Sequence, residues 1–206
     1  MAFQRDYVLR LIERMGEFFR RLCEMADDAE KRAKLDSACR DQCGLSLDAT
    51  LQLNEETLSR LLPPQGLMML SEMAYLRARL EKDDERKSAF RLLTLRLLSS
   101  LYEEEILCAE RALRLRELMD DCAPFLSPDD YMRCARFFMA GEYYAHGEDA
   151  IFLAVESAEE PGKYIEEGIA LFSRLLSLPE HALALGGLPP EDVKAAIDDL
   201  KTWELT

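Results

Sequence analysis

Residues 127–161 read SPDDYMRCARFFMAGEYYAHGEDAIFLAVESAEEP, and this stretch decides the fold. Ser127-Pro128-Asp129-Asp130 is a helix start. It offers a hydroxyl to cap free backbone N–H groups, a proline at the first helical position, and carboxylates at the positive end of the helix dipole. Tyr131, Cys134, Ala135 and Phe138 then recur at spacings of three and four, which places them on one face. A partner helix follows over roughly 146–159, and Pro161-Gly162 ends the pair. Small residues at Ala135, Gly147 and Ala154 allow close approach, while Tyr131, Phe138 and Ile151 fill the gaps between the helices. The unit is a helical hairpin.

The same signals repeat in both directions. Toward the N-terminus, Tyr7, Leu11, Met15, Phe18, Leu22 and Met25 form one apolar stripe, widened by Val8, Ile12 and Phe19. Arg10, Arg14, Glu17 and Arg21 occupy the opposite side. Asp27-Asp28 opens a second helix that runs to Cys43, with Gly44 as its left-handed stop. Residues 45–66 form a connector holding one short helix, capped by Asn54 and ended by Pro63-Pro64. A helix from Gln65 carries Leu67, Leu70, Met73, Leu76 and Leu80. The charged run Glu81–Arg86 is a solvated turn or a polar helical stretch. The long periodic stretch beyond it, with Phe90, Leu93, Leu97, Leu101, Leu107, Leu113 and Leu118, divides into two antiparallel helices near Tyr102–Glu105. Toward the C-terminus, the reading gives helices over about 163–177, from Pro179 to Gly186-Gly187, and from Pro189-Pro190 to Trp203. Few hairpin signals and few Val, Ile or Thr runs remain from which to build a sheet. The expectation is an all-α chain of stacked antiparallel helical hairpins. It forms a single domain over 1–206, divisible into lobes 1–62 and 65–206.

Composition bounds what such a chain does. Apolar residues make up 49% and charged residues 32%, which suits a packed helical protein and not a disordered one. The net charge of −14 is carried by one half: residues 1–100 hold 17 Lys+Arg against 17 Asp+Glu, whereas residues 101–206 hold 9 against 23. A surface so acidic repels nucleic-acid phosphate and anionic lipid, and it favours cationic partners or solubility. Charges interrupt any apolar core at the start of the chain, and no apolar run spans a membrane. The six cysteines, Cys23, Cys39, Cys43, Cys108, Cys122 and Cys134, are therefore read as reduced thiols in a cytoplasmic protein.

Against the tetratricopeptide pattern, Tyr131, Cys134-Ala135, Phe138, Gly147, Ile151 and Ala154 fall in register, with Pro161 just past its position. Glu142-Tyr143 departs from the pattern's small-acidic turn. Residues 27–44 and 90–120 match only in part. Three further segments carry a second likeness: Asp6-Tyr7-Val8-Leu9-Arg10-Leu11-Ile12-Glu13, Glu148-Asp149-Ala150-Ile151-Phe152, and Gly186-Gly187-Leu188-Pro189-Pro190-Glu191-Asp192-Val193. Through them the chain resembles, over nearly its whole length, an uncharacterised bacterial family of unknown function with a tetratricopeptide-like helical fold. The resemblance implies that fold and brings no activity with it.

Candidate chemistry is thin. His146 lies near Glu142, Glu148 and Asp149, which invites a metal reading, but helical di-iron sites need a second Glu/His set that this chain does not repeat. His181 sits in a helix start. Cys39 and Cys43 share a helical face without the further ligands zinc requires. Glu103-Glu104-Glu105, Glu166-Glu167 and Asp198-Asp199 are adjacent acids that point about 100° apart on a helix and cannot face one substrate. No phosphate loop, nucleophile elbow or dinucleotide fingerprint occurs. The expected function is a non-catalytic scaffold that uses no cofactor. It binds a protein or peptide partner, basic or amphipathic, in a groove lined by Tyr131, Phe138, Tyr143 and Tyr144 and rimmed by Glu142, Glu148 and Asp149. The alternatives are a metal-dependent helical enzyme around His146 and Glu142, and a structural homodimer.

Overall fold

The computed structural model describes the backbone of residues 2–203. Side chains of residues 2–9, 11, 12, 14 and 105–110 are outside the described set, so the expectations placed on Tyr7, Val8, Leu11, Ile12, Arg14, Leu107 and Cys108 lie outside the described residues. Every regular element among the described residues is helical, and no helix among them is long and apolar enough to cross a membrane. The chain divides into two compact units, Met1–Leu101 and Tyr102–Thr206.

The first unit holds α1 (Ala2–Glu24), α2 (Asp28–Cys43), α3 (Leu47–Thr50), α4 (Glu55–Leu61), α5 (Pro64–Leu80) and α6 (Asp84–Ser99). Its boundaries are set by local chemistry. The Asp27 carboxylate accepts the Ala29 N–H at 2.6 Å, and Gly44 leaves α2 at φ 71°, a conformation that costs a β-carbon-bearing residue about 1 kcal/mol. Asn54 caps α4 through the Thr57 N–H, at 2.9 Å. Pro64 stands in the first turn of α5, so the Pro63-Pro64 pair lies inside this unit. The charged run at 81–86 resolves into a short turn followed by a cap, because Asp83 accepts the Arg86 N–H at 2.8 Å and opens α6. The connector also holds α3, which the sequence reading missed: Ser46 caps a single turn whose Leu47 is fully buried. α5 packs along α6, and α2 along α5, around Leu35, Met68, Leu70, Phe90, Leu95 and Leu97.

The periodic stretch beyond Phe90 breaks at residues 100–104, and the second unit begins within that turn. It holds α7 (Glu105–Cys122), a single 3-10 turn at Ala123–Phe125, α8 (Pro128–Ala140), α9 (Tyr144–Ser157), α10 (Gly162–Leu175), α11 (Glu180–Leu185) and α12 (Pro190–Trp203). The start of α8 is a reciprocal capping box. Ser127 Oγ accepts the Asp130 N–H at 3.2 Å, while Asp130 Oδ2 accepts the Ser127 N–H at 3.1 Å. α8 packs along α9 and also touches α7 and α10, and α10 lies against α9 and α12. Phe137, Phe138, Ile151, Phe172 and Leu200 form the dry interior of this unit.

Candidate functional site

The corner between α8 and α9 is where the sequence concentrates its aromatic and acidic residues, and it is built with local strain. Glu142 takes φ 64°, a left-handed conformation adopted here by no other described non-glycine residue. The turn is held by the Tyr143 N–H donating to the Phe138 carbonyl at 2.9 Å. The loop after α11 closes over it. Gly186 O accepts the Ala145 N–H at 3.2 Å, satisfying a donor in the first turn of α9. A β-carbon on Gly186 would lie 2.1 Å from Tyr144 Cδ2 and 2.8 Å from Glu142 O, so only glycine allows this approach. The Gly186-Gly187 pair of the likeness segment thus fastens the corner in place.

The seven candidate residues separate into an interior and a surface group. Tyr131, Phe138 and Tyr144 are buried, at 6%, 0% and 4% exposure, and they fill the space between helices rather than lining a groove. Burial pushes the Tyr144 hydroxyl up, with the Glu142 charge adding to it, and burial does the same for Tyr131. Tyr143 is half-buried and stacks on His146, with ring centroids 6.2 Å apart and planes 5° apart. His146 also meets the Phe138 ring edge-on at 5.5 Å. Its imidazole is therefore engaged by two aromatic rings. Among the described residues, no group of three or more His, Cys, Asp or Glu is arranged to hold a metal ion.

The acidic residues stay accessible. Glu142 and Asp149 are exposed and Glu148 is half-buried. Asp149 pairs with Arg116 on α7 at 2.9 Å, a contact between residues 33 positions apart that no local pattern could reveal. Glu148 is crowded. Partial burial raises its carboxyl above the usual carboxylate range, and the charges of Asp149, Asp192 and Asp199 raise it further. Two of those acids belong to α12, so the acidic face is a joint product of α9 and α12.

Two open grooves were not foreseen. In the second unit, a groove of about 480 Å³ runs along α8 and α10, between Tyr102, Arg136, Met139, Glu167, Leu171 and Arg174. In the first unit, Met15, Phe18, Phe19, Met69 and Met73 surround about 400 Å³ between α1, α2 and α5. The cysteines are simpler. Cys39, Cys122 and Cys134 are buried, Cys43 is half-buried, and Cys23 is exposed. The Cys39 thiol is raised, first by its hydrogen bond to Cys43, and full burial raises Cys134.

Among the described residues, fold and site together define an all-helical protein that presents an acidic face and the grooves just described. The chain belongs to a family of unknown function, DUF6483, whose family model matches residues 2–204. No curated protein and no solved structure matches it.

Proposed function

We propose that this chain is a non-catalytic scaffold that binds a basic or amphipathic segment of another protein on the acidic face of its second unit. The observation that carries the reading is the crowding of Glu148 by Asp149, Asp192 and Asp199. Like charges held close in a partly dry setting repel, and a cationic side chain brought among them offsets that repulsion. Arg116 answers only part of the charge, through Asp149. Glu142 extends the acidic edge at the adjoining turn.

The second unit is best read as a tetratricopeptide-like stack of antiparallel hairpins, an architecture suited to partner binding. Three features support this. Asp129 in the first turn of α8 meets Lys163 in the first turn of α10 at 3.0 Å, 34 positions along the chain. Arg136 and Glu167, further along the same two helices, meet at 2.6 and 2.8 Å, so the helices run side by side in one direction. Small residues also stand where helices meet, as at Gly168 between Ile151 and Leu200. A cytoplasmic setting agrees with the burial of the Cys39 and Cys134 thiols.

Capture on the immobilised protein from its native lysate, at low and high salt, tests the reading. The protein with Glu142, Glu148 and Asp149 all reversed to Lys serves as the comparison. A partner retained at low salt, released at high salt and lost on charge reversal is the expected result. Equal capture by the reversed protein overturns it.

A further inference from the structure

The groove along α8 and α10 carries charge of the opposite kind to the face just described. In residues 101–206, where 9 basic residues face 23 acidic ones, a guanidinium should find a carboxylate. Arg116, Arg133 and Arg136 all do so. Arg174, exposed at the groove, has no carboxylate partner among the described residues. The acid within reach of the groove, Glu167, is already engaged by both Nε and Nη2 of Arg136, at 2.6 and 2.8 Å. That guanidinium also lies 6.0 Å from the centroid of the Tyr102 ring, which fixes its plane. The pair is neutral as a whole, so the groove keeps the single positive charge of Arg174. Beside it lies an apolar floor of Met139 and Leu171, both half-buried, with the Met139 thioether packed against Gly147. The unbranched methionine side chain adapts to an incoming apolar group.

We propose that this groove docks a segment of a partner protein in which a large apolar side chain lies next to an Asp or Glu side chain. The apolar group seats against Met139 and Leu171, and the carboxylate pairs with Arg174. Charge decides the occupant. The surrounding unit is strongly acidic, so a carboxylate approaches only where a local cation outweighs that field, and arginine offers it a two-pronged hydrogen bond. This proposal goes beyond the acidic-face reading. It concerns different residues and the opposite charge on the partner, so the failure of one leaves the other standing.

The probe is a short fluorescent peptide, blocked at both termini, with Leu and Glu at i, i+4 spacing. Gln-for-Glu and Lys-for-Glu versions and decanoate serve as competitors, and binding is read by anisotropy on the full chain. Two variants carry the test: Arg174→Glu reverses the charge at an exposed site, and Ala170→Trp fills the groove without changing charge. Lys194→Glu, on exposed α12 surface, is the control. Saturable binding of the Glu peptide is expected, weakened roughly tenfold or more by either variant and unchanged by the control, as for loss of a charge-assisted hydrogen bond. Any one of four results overturns the proposal: no saturable binding, equal binding of the Gln peptide, preference for the Lys peptide, or insensitivity to both variants. Displacement by decanoate at a lower concentration than the peptide assigns the groove to an alkyl carboxylate and overturns the peptide reading.

Discussion

Replacing Gly168 by Ala should destabilise the second unit, although glycine-to-alanine changes inside helices ordinarily stabilise. In α10 an alanine would contribute about 1 kcal/mol through backbone entropy. Its methyl, however, would sit 2.7 Å from Ile151 Cγ2 and 2.9 Å from Leu200 Cδ1. Comfortable carbon–carbon contact begins at roughly 3.5 Å, so two neighbours must each yield by more than half an ångström. Both are fully buried, and neither can swing into solvent. Overpacking of this kind costs about 1–3 kcal/mol, which leaves a net loss of about 1 kcal/mol. Urea unfolding followed by the emission of Trp203, the single tryptophan and a residue of this unit, reads the effect directly. With a urea slope of about 1–2 kcal/mol/M, the midpoint should fall by roughly 0.5–1 M. Adding Leu200→Val removes the Cδ1 contact, so the double variant should lose at least about 0.5 kcal/mol less than the two single losses combined. A midpoint that rises in Gly168→Ala, or strict additivity with Leu200→Val, would refute the close packing of α9, α10 and α12 argued above.

Three further outcomes are expected. Ser127→Ala removes the hydroxyl half of the capping box and leaves buried Asp130 without one partner, so the Trp203 transition should shift by about 1–2 kcal/mol; no shift would mean the box contributes nothing. Phe138→Ala should cost about 3–5 kcal/mol, because the ring is wholly interior, whereas Tyr143→Ala at a half-buried position should cost clearly less; equal losses would contradict the division into interior and surface groups. The Glu148 carboxyl is raised in the folded protein, so its protonated form is favoured there. Its contribution to stability is full below its ordinary value of 4.5 and is lost as pH rises through the folded-state value. Glu148→Gln should therefore raise the melting temperature at neutral pH and leave it unchanged in acid, and a lower melting temperature at neutral pH would reverse the assignment.

Helix identity was legible from sequence because the forces that start and stop a helix act within a few residues. Asp27, Asn54, Ser127-Pro128 and Pro189-Pro190 each satisfy or forgo N–H groups in their own first turn, and the observed helices begin at those signals. The apolar period also marked residues that are buried, such as Leu70, Leu97 and Leu118, although Leu113 on the same period is 65% exposed. Tertiary packing settled the questions that join distant parts of the chain. Tyr131, Phe138 and Tyr144 were expected at a groove and lie inside, because an aromatic stripe fits a buried seam as well as a binding face, and only the position of α10 and the Gly186 loop distinguishes the two. The Arg116–Asp149 pair, the acids of α12 beside Glu148, and the groove between Arg136 and Arg174 all arise from neighbours brought together across helices. Local hydrogen bonding writes the helices into the sequence, whereas the surfaces they present depend on which helix packs against which.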